Sequence, residues 1–569
     1  MNTETKKITG SEAVMLSLLE EGTEIIFGYP GGAIMPVYDA LYDYRNKIHH
    51  VLTRHEQGAV HAAQGYARVT GKVGVCIATS GPGATNLITG IADAQIDSTP
   101  IVCITGQVTA ALLGSDAFQE TDVVGISMPV CKWNIQITKP EEIPGAIAKA
   151  FYIARTGRPG PVLVDLAKNA QFGTLDFKYE KCTYIRSYVP IPHYDENKIT
   201  EAANLINAAK KPYVLVGQGV ILGNAEEEFR AFIEKSGIPF AWTILGASAI
   251  PINHPLNTGM LGMHGNYGPN LKQNECDVLI AIGMRFDDRV TGDLSRYAKQ
   301  AKIIHLEIDP AEIDKNVKTD IAILGDVKET LPILTRLVEK KKYNAWLAEF
   351  KECHKIEQEK VISKDFFPDK PGINMGEVIH RINEQTKGDA IIVTDVGQHQ
   401  MYASRYVQHK NKRSFVTSGG LGTMGFGLPA AYGAKMGAPD IEVILIVGDG
   451  GIQMTIQEMG TIAQTEIPVK VVLMNNNFLG MVRQWQDLFF DKRYSFTELI
   501  NPNFQKLAEA YNWNTRKVTE RSQLDDSITD MLKSDKAYLL EIVIEKENNV
   551  FPMVPTGASN TEVMLEASK

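Results

Sequence analysis

This sequence of 569 residues has few cysteines, no excess of positive charge and no long apolar runs. The six cysteines are scattered without a CxxC pair or a His/Cys group, which argues against a disulfide framework and a zinc site. Lys and Arg total 58 against 67 Asp and Glu, so a net charge of −9 offers no basic field to nucleic acid. Apolar runs such as 443–447 fall far short of the roughly 20 residues that cross a bilayer. No apolar stretch follows Lys6 and Lys7, so we predict no signal peptide and expect a cytoplasmic protein.

The composition is that of a folded protein, with 44% hydrophobic and 22% charged residues. At about 150 residues per domain, the length predicts three to four domains. Short β-branched runs alternate with amphipathic helical stretches, a pattern typical of parallel βαβ units. The predicted strands are 24–27, 73–78, 101–105, 162–165, 213–216, 278–282, 303–308, 390–394, 442–447, 470–474 and 538–544.

We therefore predict an α/β protein with three doubly wound parallel-sheet domains. The predicted limits are 1–183 for the first domain, 193–340 for the central domain, 341–372 for a charged linker, 373–550 for the third domain and 551–569 for a C-terminal tail. Gly557 and the polar end suggest that the tail is mobile and closes over a site.

The strongest local signal lies in the third domain, where the strand 442–447 runs into Gly448, Asp449 and Gly450. After 24 further residues, which include a helical stretch and a second strand, come Asn475 and Asn476. A strand, helix and strand return both polar clusters to the same carboxyl edge of a parallel sheet, where ligands bind. Carboxylate and amide oxygens suit Mg²⁺, and glycines let backbone N–H groups approach phosphate.

This spacing is typical of thiamin diphosphate (ThDP) enzymes, and longer stretches make the resemblance specific. The matching stretches are FGYPGGAIMPVYD (27–39), RHEQG (54–58), ATSGPGATN (78–86), AFQETDVVG (117–125), RFDDRVTG (285–292), TDVGQHQM (394–401), SGGLGTMGFGLPAA (418–431) and GMVRQWQ (480–486). On these residues the sequence resembles the catalytic subunits of acetohydroxyacid synthase (acetolactate synthase), of the anabolic, FAD-containing kind.

The resemblance implies a ThDP site with a carboxyl group, Glu56, that protonates the cofactor's aminopyrimidine. Such a carboxyl should be buried, with a raised pKa. Without the family, Glu56 is a first-turn carboxylate favoured by the helix dipole, and Met424 is a core residue. The resemblance implies that Mg²⁺ is held by Asp449, Asn476 and the carbonyl of Phe478. The other implied ThDP residues are Gly397, Gln398 and His399 at the diphosphate, Gly422 and Met424 at the aminopyrimidine, and Gly448 and Gly450.

The central domain is expected to hold FAD in a structural, non-redox role, although no GxGxxG motif is present. The resemblance places the flavin along 264–285 and 307–326, with Arg158 reaching in from the first domain. The implied FAD residues are Arg158, Gly217, Gly219, His264, Arg285, Asp309 and Asp326. Asp309 and Asp326 suit the hydroxyl groups of ribose or ribitol; the alternative is that they close turns between helices and strands.

The substrate site is expected to need a cation for the keto acid carboxylate, and Arg285 is the implied residue. An ion pair with Asp287 or Asp288 is the alternative role. Trp485 is expected to contact the additional methyl group of 2-ketobutyrate. The remaining implied residues are Phe118, Met481 and Val482 for substrate, and Gly32, Gln119 and Lys168 beside Glu56 for catalysis. Lys168 lies in Leu-Ala-Lys-Asn where the family commonly has Leu-Pro-Lys-Asp, so the local backbone could differ.

The resemblance implies that pyruvate is decarboxylated and that the hydroxyethyl-ThDP carbanion condenses with pyruvate or 2-ketobutyrate. The products would be CO₂ and 2-acetolactate or 2-aceto-2-hydroxybutyrate, in the first common step of branched-chain amino acid biosynthesis. Glu56 and Asp449 lie in different domains, and the family forms its site between two chains, so we expect a homodimer or tetramer with a separate small regulatory subunit. The alternatives are a flavin-using pyruvate oxidase, a catabolic acetolactate synthase, which lacks the RFDDR stretch, and a non-catalytic regulatory subunit.

Overall fold

A computed structural model describes residues 6–567. Residues 1–5 and 568–569, at the ends of the predicted first domain and tail, lie outside the described residues. The described chain forms three six-stranded sheets, and every strand pair within them is parallel. The predicted fold class is therefore confirmed.

The first domain has eight strands, which are β1 Lys6–Thr9, β2 Ile25–Gly28, β3 His49–Leu52, β4 Gly74–Ala78, β5 Ile101–Gln107, β6 Trp133–Ile137, β7 Pro161–Ala167 and β8 Thr174–Phe177. Six of them form the first sheet, in the order β3-β2-β4-β5-β7-β6, and β1 and β8 form a separate antiparallel pair. The helices of this domain are α1 Gly10–Glu20, α2 Met35–Tyr44, α3 Glu56–Thr70, α4 Pro82–Thr85, α5 Ile88–Ile96, α6 Val123–Ser127, α7 Ile143–Arg155 and α8 Lys168–Phe172.

The strands of the second sheet are β9 Pro212–Val216, β10 Phe240–Trp242, β11 Asn257–Met260, β12 Val278–Ile282, β13 Lys302–Glu307 and β14 Ile321–Leu324. They lie in the order β11-β10-β9-β12-β13-β14, and a helical linker follows the sheet. The helices here are α9 Glu196–Ala208, α10 Gln218–Leu222, α11 Glu226–Ser236, α12 Tyr267–Lys272, α13 Asp288–Thr291, α14 Val327–Leu337, and α15 Asn344–Glu357 and α16 Ser363–Phe366 of the linker.

The strands of the third sheet are β15 Ile391–Thr394, β16 Phe415–Val416, β17 Val443–Gly448, β18 Lys470–Asn475, β19 Asn514–Val518 and β20 Tyr538–Val543. They lie in the order β16-β15-β17-β18-β20-β19. The helices of this domain are α17 Met375–Thr386, α18 Gln398–Tyr406, α19 Gly427–Gly437, α20 Asp449–Met454, α21 Met459–Thr465, α22 Gly480–Phe489, α23 Phe504–Ala510 and α24 Leu524–Lys533.

Helices α3 and α19 join the first and third domains at a contact that only glycine permits. A Cβ atom on Gly65 would lie 2.1 Å from the carbonyl oxygen of Ala430, and one on Gly433 would lie 2.0 Å from that of Ala62. The two backbones therefore touch, and apolar residues from both domains share one buried cluster around them. This contact fixes helix α3, which begins at Glu56.

The tail 551–567 packs against the central domain. Met553 and Val554 are buried, and the Val554 N–H donates to the Met263 carbonyl at 2.8 Å. The Asn560 side-chain amide donates to the Val290 carbonyl at 2.8 Å. These are the contacts that the predicted tail makes with the central domain.

Of the helices in residues 6–567, none combines the length and the apolar character that a bilayer crossing requires.

Candidate active site

The carboxyl edge of the third sheet brings the two predicted polar clusters together. Strand β17 ends at Gly448, helix α20 begins at Asp449, and the neighbouring strand β18 ends at Asn475. Asn501, which the sequence analysis missed, links them: its Nδ2 donates to Asp449 Oδ2 at 2.7 Å, to Asn475 Oδ1 at 3.0 Å and to Asn477 Oδ1 at 3.1 Å. Asn501 follows a long connection after β18, so no local spacing indicated it.

The oxygen atoms at this edge fit a hard cation. Asp449 is almost fully buried, and burial raises the pKa of its carboxyl group to about 6. Asn476 is also buried, and its Oδ1 accepts from the Phe478 N–H at 3.1 Å, which turns the chain back beside the carboxylate. Within residues 6–567 no three His, Cys, Asp or Glu side chains cluster as a metal site, so any cation here must use amide and carbonyl oxygens as well. Mg²⁺, which keeps positions for phosphate oxygens, is compatible with this set.

The predicted diphosphate residues lie at the start of helix α18, beside the same edge. His399 is buried, burial lowers its pKa to about 4, and its Nε2 has no hydrogen-bond partner within the described chain. A neutral imidazole with a free nitrogen can bind a ligand there. A Cβ atom on Gly448 would lie 3.0 Å from the His399 ring, so this glycine leaves the ring its space. Gln398 instead donates to Gln484 Oε1 at 3.0 Å.

Gly422 and Met424 lie on the segment between strand β16 and helix α19. Gly422 has a φ of 68°, and a Cβ atom there would meet only Val396, at 3.9 Å, so the space beside it is open. The Met424 Cε atom lies 3.5 Å from where a Cβ of Gly450 would be. The predicted aminopyrimidine and diphosphate residues therefore adjoin one another.

One cavity of about 1010 Å³ runs between the three domains and joins two of the predicted sites. From the predicted FAD set it is lined by Arg158, Gly219, His264, Arg285 and Asp326. From the predicted ThDP and substrate sets it is lined by Gly397, Gly422, Met424, Met481, Val482 and Trp485. Its size and its mixed lining fit an extended ligand such as a dinucleotide with room for a small substrate at one end.

Two residues of the predicted FAD set do not line this cavity. The Gly217 N–H donates to the Ile282 carbonyl at 3.0 Å, and a Cβ atom there would lie 2.4 Å from the Gly283 oxygen, so Gly217 lets two strand ends approach. Asp309 accepts from Arg158 at 3.3 Å and from the Ala311 N–H at 3.0 Å. The bond from the Ala311 N–H closes a turn, which is the role that we considered as the alternative for Asp309.

Asp326 does both things that were predicted of it, because it lines the cavity and also caps helix α14 by accepting from the Lys328 N–H at 2.8 Å. Arg285 forms no salt bridge within residues 6–567, and Asp287, its predicted alternative partner, caps helix α13 instead. The guanidinium group of Arg285 is therefore available to a carboxylate in the cavity. Glu307, which we did not single out, also lines the cavity, and burial raises its pKa to about 7.

The predicted catalytic residues of the first domain lie outside this cavity. Glu56, the first residue of helix α3, is 8% exposed and accepts from the Asn86 side-chain amide at 2.9 Å. Gln119 lies against Gly81, in a loop where Phe118 is 88% exposed. Gly32 is exposed with no atom within 4 Å of its Cβ position, and Lys168 begins helix α8. Asp449 and Asn476 are likewise absent from the lining of this cavity.

The backbone before Lys168 is one that the family's commoner proline could also adopt. Ala167 has φ −60°, close to the angle that a proline ring imposes. Asn169 accepts from the Ala110 N–H at 2.8 Å and donates to the Thr138 carbonyl at 2.7 Å. An aspartate at this position could accept but not donate, so asparagine adds a bond here.

Comparison with known proteins agrees with this geometry. Three family models match in succession: the N-terminal TPP binding domain of thiamine pyrophosphate enzymes at residues 8–126, their central domain at 199–334 and their C-terminal TPP binding domain at 395–542. Fold and site thus define the class, which is that of the enzymes dependent on ThDP (thiamine pyrophosphate).

Relatives narrow the class further. The chain is 44% identical over 564 residues to the acetolactate synthase isozyme 2 large subunit of Escherichia coli, which covers 99% of this chain and 100% of that protein. It is 47% identical over 570 residues to the acetolactate synthase large subunit of Corynebacterium glutamicum, a match that covers 98% of this chain and 90% of that protein. It is also 47% identical over 572 residues to a probable acetolactate synthase large subunit of Methanocaldococcus jannaschii, with 98% of this chain and 95% of that protein covered. The chain belongs to the acetolactate synthase large-subunit family of ThDP-dependent enzymes.

Proposed function

We propose that the chain joins two 2-keto acids with loss of CO₂, using ThDP, Mg²⁺ and a flavin that undergoes no net redox change. The first substrate is pyruvate and the second is pyruvate or 2-ketobutyrate. The observation that carries this proposal is the single cavity in which Arg285, Trp485 and Met424 line one space. The cavity offers a cation for a carboxylate, an apolar ring for an alkyl group and the predicted cofactor contact.

ThDP would supply a carbon nucleophile, and Mg²⁺ would bind its diphosphate. The residues that would hold the metal ion are Asp449, Asn476 and the carbonyl of Phe478, and the buried, unpartnered His399 would bind the diphosphate. FAD would occupy the part of the cavity lined by Arg158, Gly219 and Asp326. These assignments draw on the donor atoms described above.

The chain's own residues would act by holding protons and orienting substrate. Glu56, buried at the start of helix α3, would exchange a proton with the aminopyrimidine. Arg285 would bind the substrate carboxylate with its planar fork, and Trp485 would favour the longer 2-ketobutyrate by contact with its methyl group. An added methylene is worth roughly 1 to 3 kcal/mol of discrimination in such a pocket.

A complete site would require two chains. Neither Glu56 nor Asp449 lines the cavity that one chain forms, and large apolar side chains of both domains are exposed. In the first domain Phe118 is 88% and Met128 65% exposed, and in the third domain Phe496 is 99% and Ile500 100% exposed. Burial of such side chains against a second chain would be favourable, which supports a homodimer or a tetramer. The relatives' name, large subunit, supports a separate smaller partner.

The test is product analysis of the purified protein in air with ThDP, Mg²⁺, FAD and equal concentrations of pyruvate and 2-ketobutyrate. We expect CO₂ and predominantly 2-aceto-2-hydroxybutyrate. Acetolactate alone would keep the reaction class but refute the role of Trp485. Hydrogen peroxide with acetate or acetyl phosphate would refute the proposal in favour of a flavin-using pyruvate oxidase. Glu56→Gln is the control, because it should lose both products while keeping the folded structure.

A further inference from the structure

Two buried carboxylates at the end of helix α5 face the segment 418–424, which we call the 418–424 loop. Asp97 accepts from the Gly419 N–H at 2.9 Å, from the Gly420 N–H at 2.7 Å and from Arg68 Nη2 at 2.7 Å. Asp93 accepts from the Ser418 hydroxyl and, at 2.8 Å, from the Thr423 hydroxyl. Both carboxylates are fully buried. The first domain thus holds a loop of the third domain of the same chain.

The loop has few side chains that could fix its backbone conformation, because three of its seven residues are glycine. One internal bond closes it, from the Thr423 N–H to the Ser418 hydroxyl at 2.8 Å. A Cβ atom on Gly420 would lie 2.0 Å from an Ile96 side-chain carbon, and one on Gly419 would lie 2.7 Å from Leu245, so the loop backbone touches both other domains. On its opposite side the loop lines the cavity.

Only a carboxylate satisfies the surroundings of Asp97. All three of its partners are donors, so an asparagine would turn its own NH₂ group against an N–H in either orientation. It would also leave Arg68 without its counter-charge in a buried place. The partners of Asp93 are hydroxyl groups, which can rotate to donate or accept. Replacement of Asp93 by asparagine should therefore perturb the loop less than the same replacement of Asp97.

We propose that Asp93 and Asp97 are positioning residues that hold the 418–424 loop so that Gly422 and Met424 can receive the cofactor. This inference rests on the proposed function, which assigns these two residues to the aminopyrimidine of ThDP. The carboxylates act through the loop and do not touch the cavity themselves. Their loss should therefore weaken cofactor binding more than it slows turnover of the fully loaded enzyme.

The test is calorimetric titration of ThDP into the FAD-loaded enzyme at saturating Mg²⁺. Asp97→Asn should raise the Kd by roughly 10- to 100-fold, the loss expected for an unsatisfied buried donor, while kcat at saturating ThDP falls by a smaller factor. The matched control is Glu377→Gln, because Glu377 is an equally buried carboxylate that accepts from Arg521 at 2.9 Å in the same domain, away from the loop. It should leave the Kd unchanged even if it lowers stability.

A second set of variants keeps the test decisive if Asp97→Asn does not fold. Asp93→Ala and Thr423→Val should each raise the Kd, whereas Thr423→Ser, which keeps the hydroxyl, should bind ThDP as the parent does. The double variant Asp93→Ala/Thr423→Val should be no worse than the worse single variant, because both substitutions remove the bond between residues 93 and 423. An unchanged Kd in Asp93→Ala and in any folded Asp97→Asn, with a parent enzyme that binds ThDP and forms product, would overturn the positioning role. A parent enzyme that neither binds ThDP nor forms product would instead refute the proposed function.

Discussion

The close contact between helices α3 and α19 predicts that Gly65→Ala is strongly destabilising. The new methyl group would lie 2.1 Å from the Ala430 oxygen, against 3.4 Å for an ordinary contact, so the helices must separate by about 1.3 Å. The obstacle is backbone and cannot rotate away. Overpacking costs about 1 to 3 kcal/mol, and a clash with backbone belongs at the upper end of that range. The better helix propensity of alanine offsets about 1 kcal/mol of this cost. We therefore expect a net loss of stability of about 2 kcal/mol.

The control is Gly145→Ala, in helix α7, where no atom lies within 4 Å of the new Cβ. That variant should be as stable as the parent or slightly more stable. Both are compared by urea unfolding followed by intrinsic fluorescence, at one protein concentration and with the cofactors present. If Gly65→Ala unfolds at the same urea concentration as Gly145→Ala, the helix contact is not as tight as described and the reasoning is wrong.

Three further predictions concern the site. Glu56→Gln should lower kcat by about 100-fold or more while ThDP still binds in calorimetry, and retained turnover would remove Glu56 from the mechanism. Trp485→Leu should shift the ratio of 2-aceto-2-hydroxybutyrate to acetolactate towards acetolactate by up to about 10-fold, measured by chromatography at equal substrate concentrations, and an unchanged ratio would exclude the methyl contact. Burial raises the pKa of Glu307 from 4.5 to about 7, so between these values the folded chain keeps a proton that the unfolded chain has lost, and stability falls as the pH rises. In urea unfolding of the flavin-free protein, Glu307→Gln should therefore gain stability relative to the parent at pH 8 but not at pH 4.5, and an equal difference at both would contradict the assigned pKa.

The inner strands of the sheets could be predicted from the sequence, except the three-residue β10, but the strands at the sheet edges could not. Runs such as 443–447 and 278–282 are apolar throughout because both faces of a central parallel strand are covered. Strand β19, with the sequence NTRKV, lies at an edge and is half exposed, so its side chains carry no apolar signal. Strand β16 has only two residues. The order of the strands within each sheet could not be predicted either, since it depends on contacts between distant parts of the chain.

The candidate site was predictable where neighbouring residues carry the chemistry. The Asp449 turn and the asparagines after β18 follow adjacent strands, so elementary sheet geometry placed them at one edge. Asn501, Asp93 and Asp97 were missed because each acts on a partner that is remote in sequence, and a single Asn or Asp in a helix or loop has many ordinary roles. The identity of the substrate and cofactors came from the family resemblance.

The packed tail has a consequence for the order of events during synthesis. The segments around Met263 and Val290 form part of the cavity wall, and they accept hydrogen bonds from Val554 and Asn560, which follow all three sheets in the sequence. The three sheets can therefore form before the tail emerges from the ribosome, since domains generally fold in turn from the N-terminus. The wall of the cavity lacks these bonds until the tail has emerged and packed. The ligand site is thus completed after the sheets, and a folding chain should acquire its cofactors late.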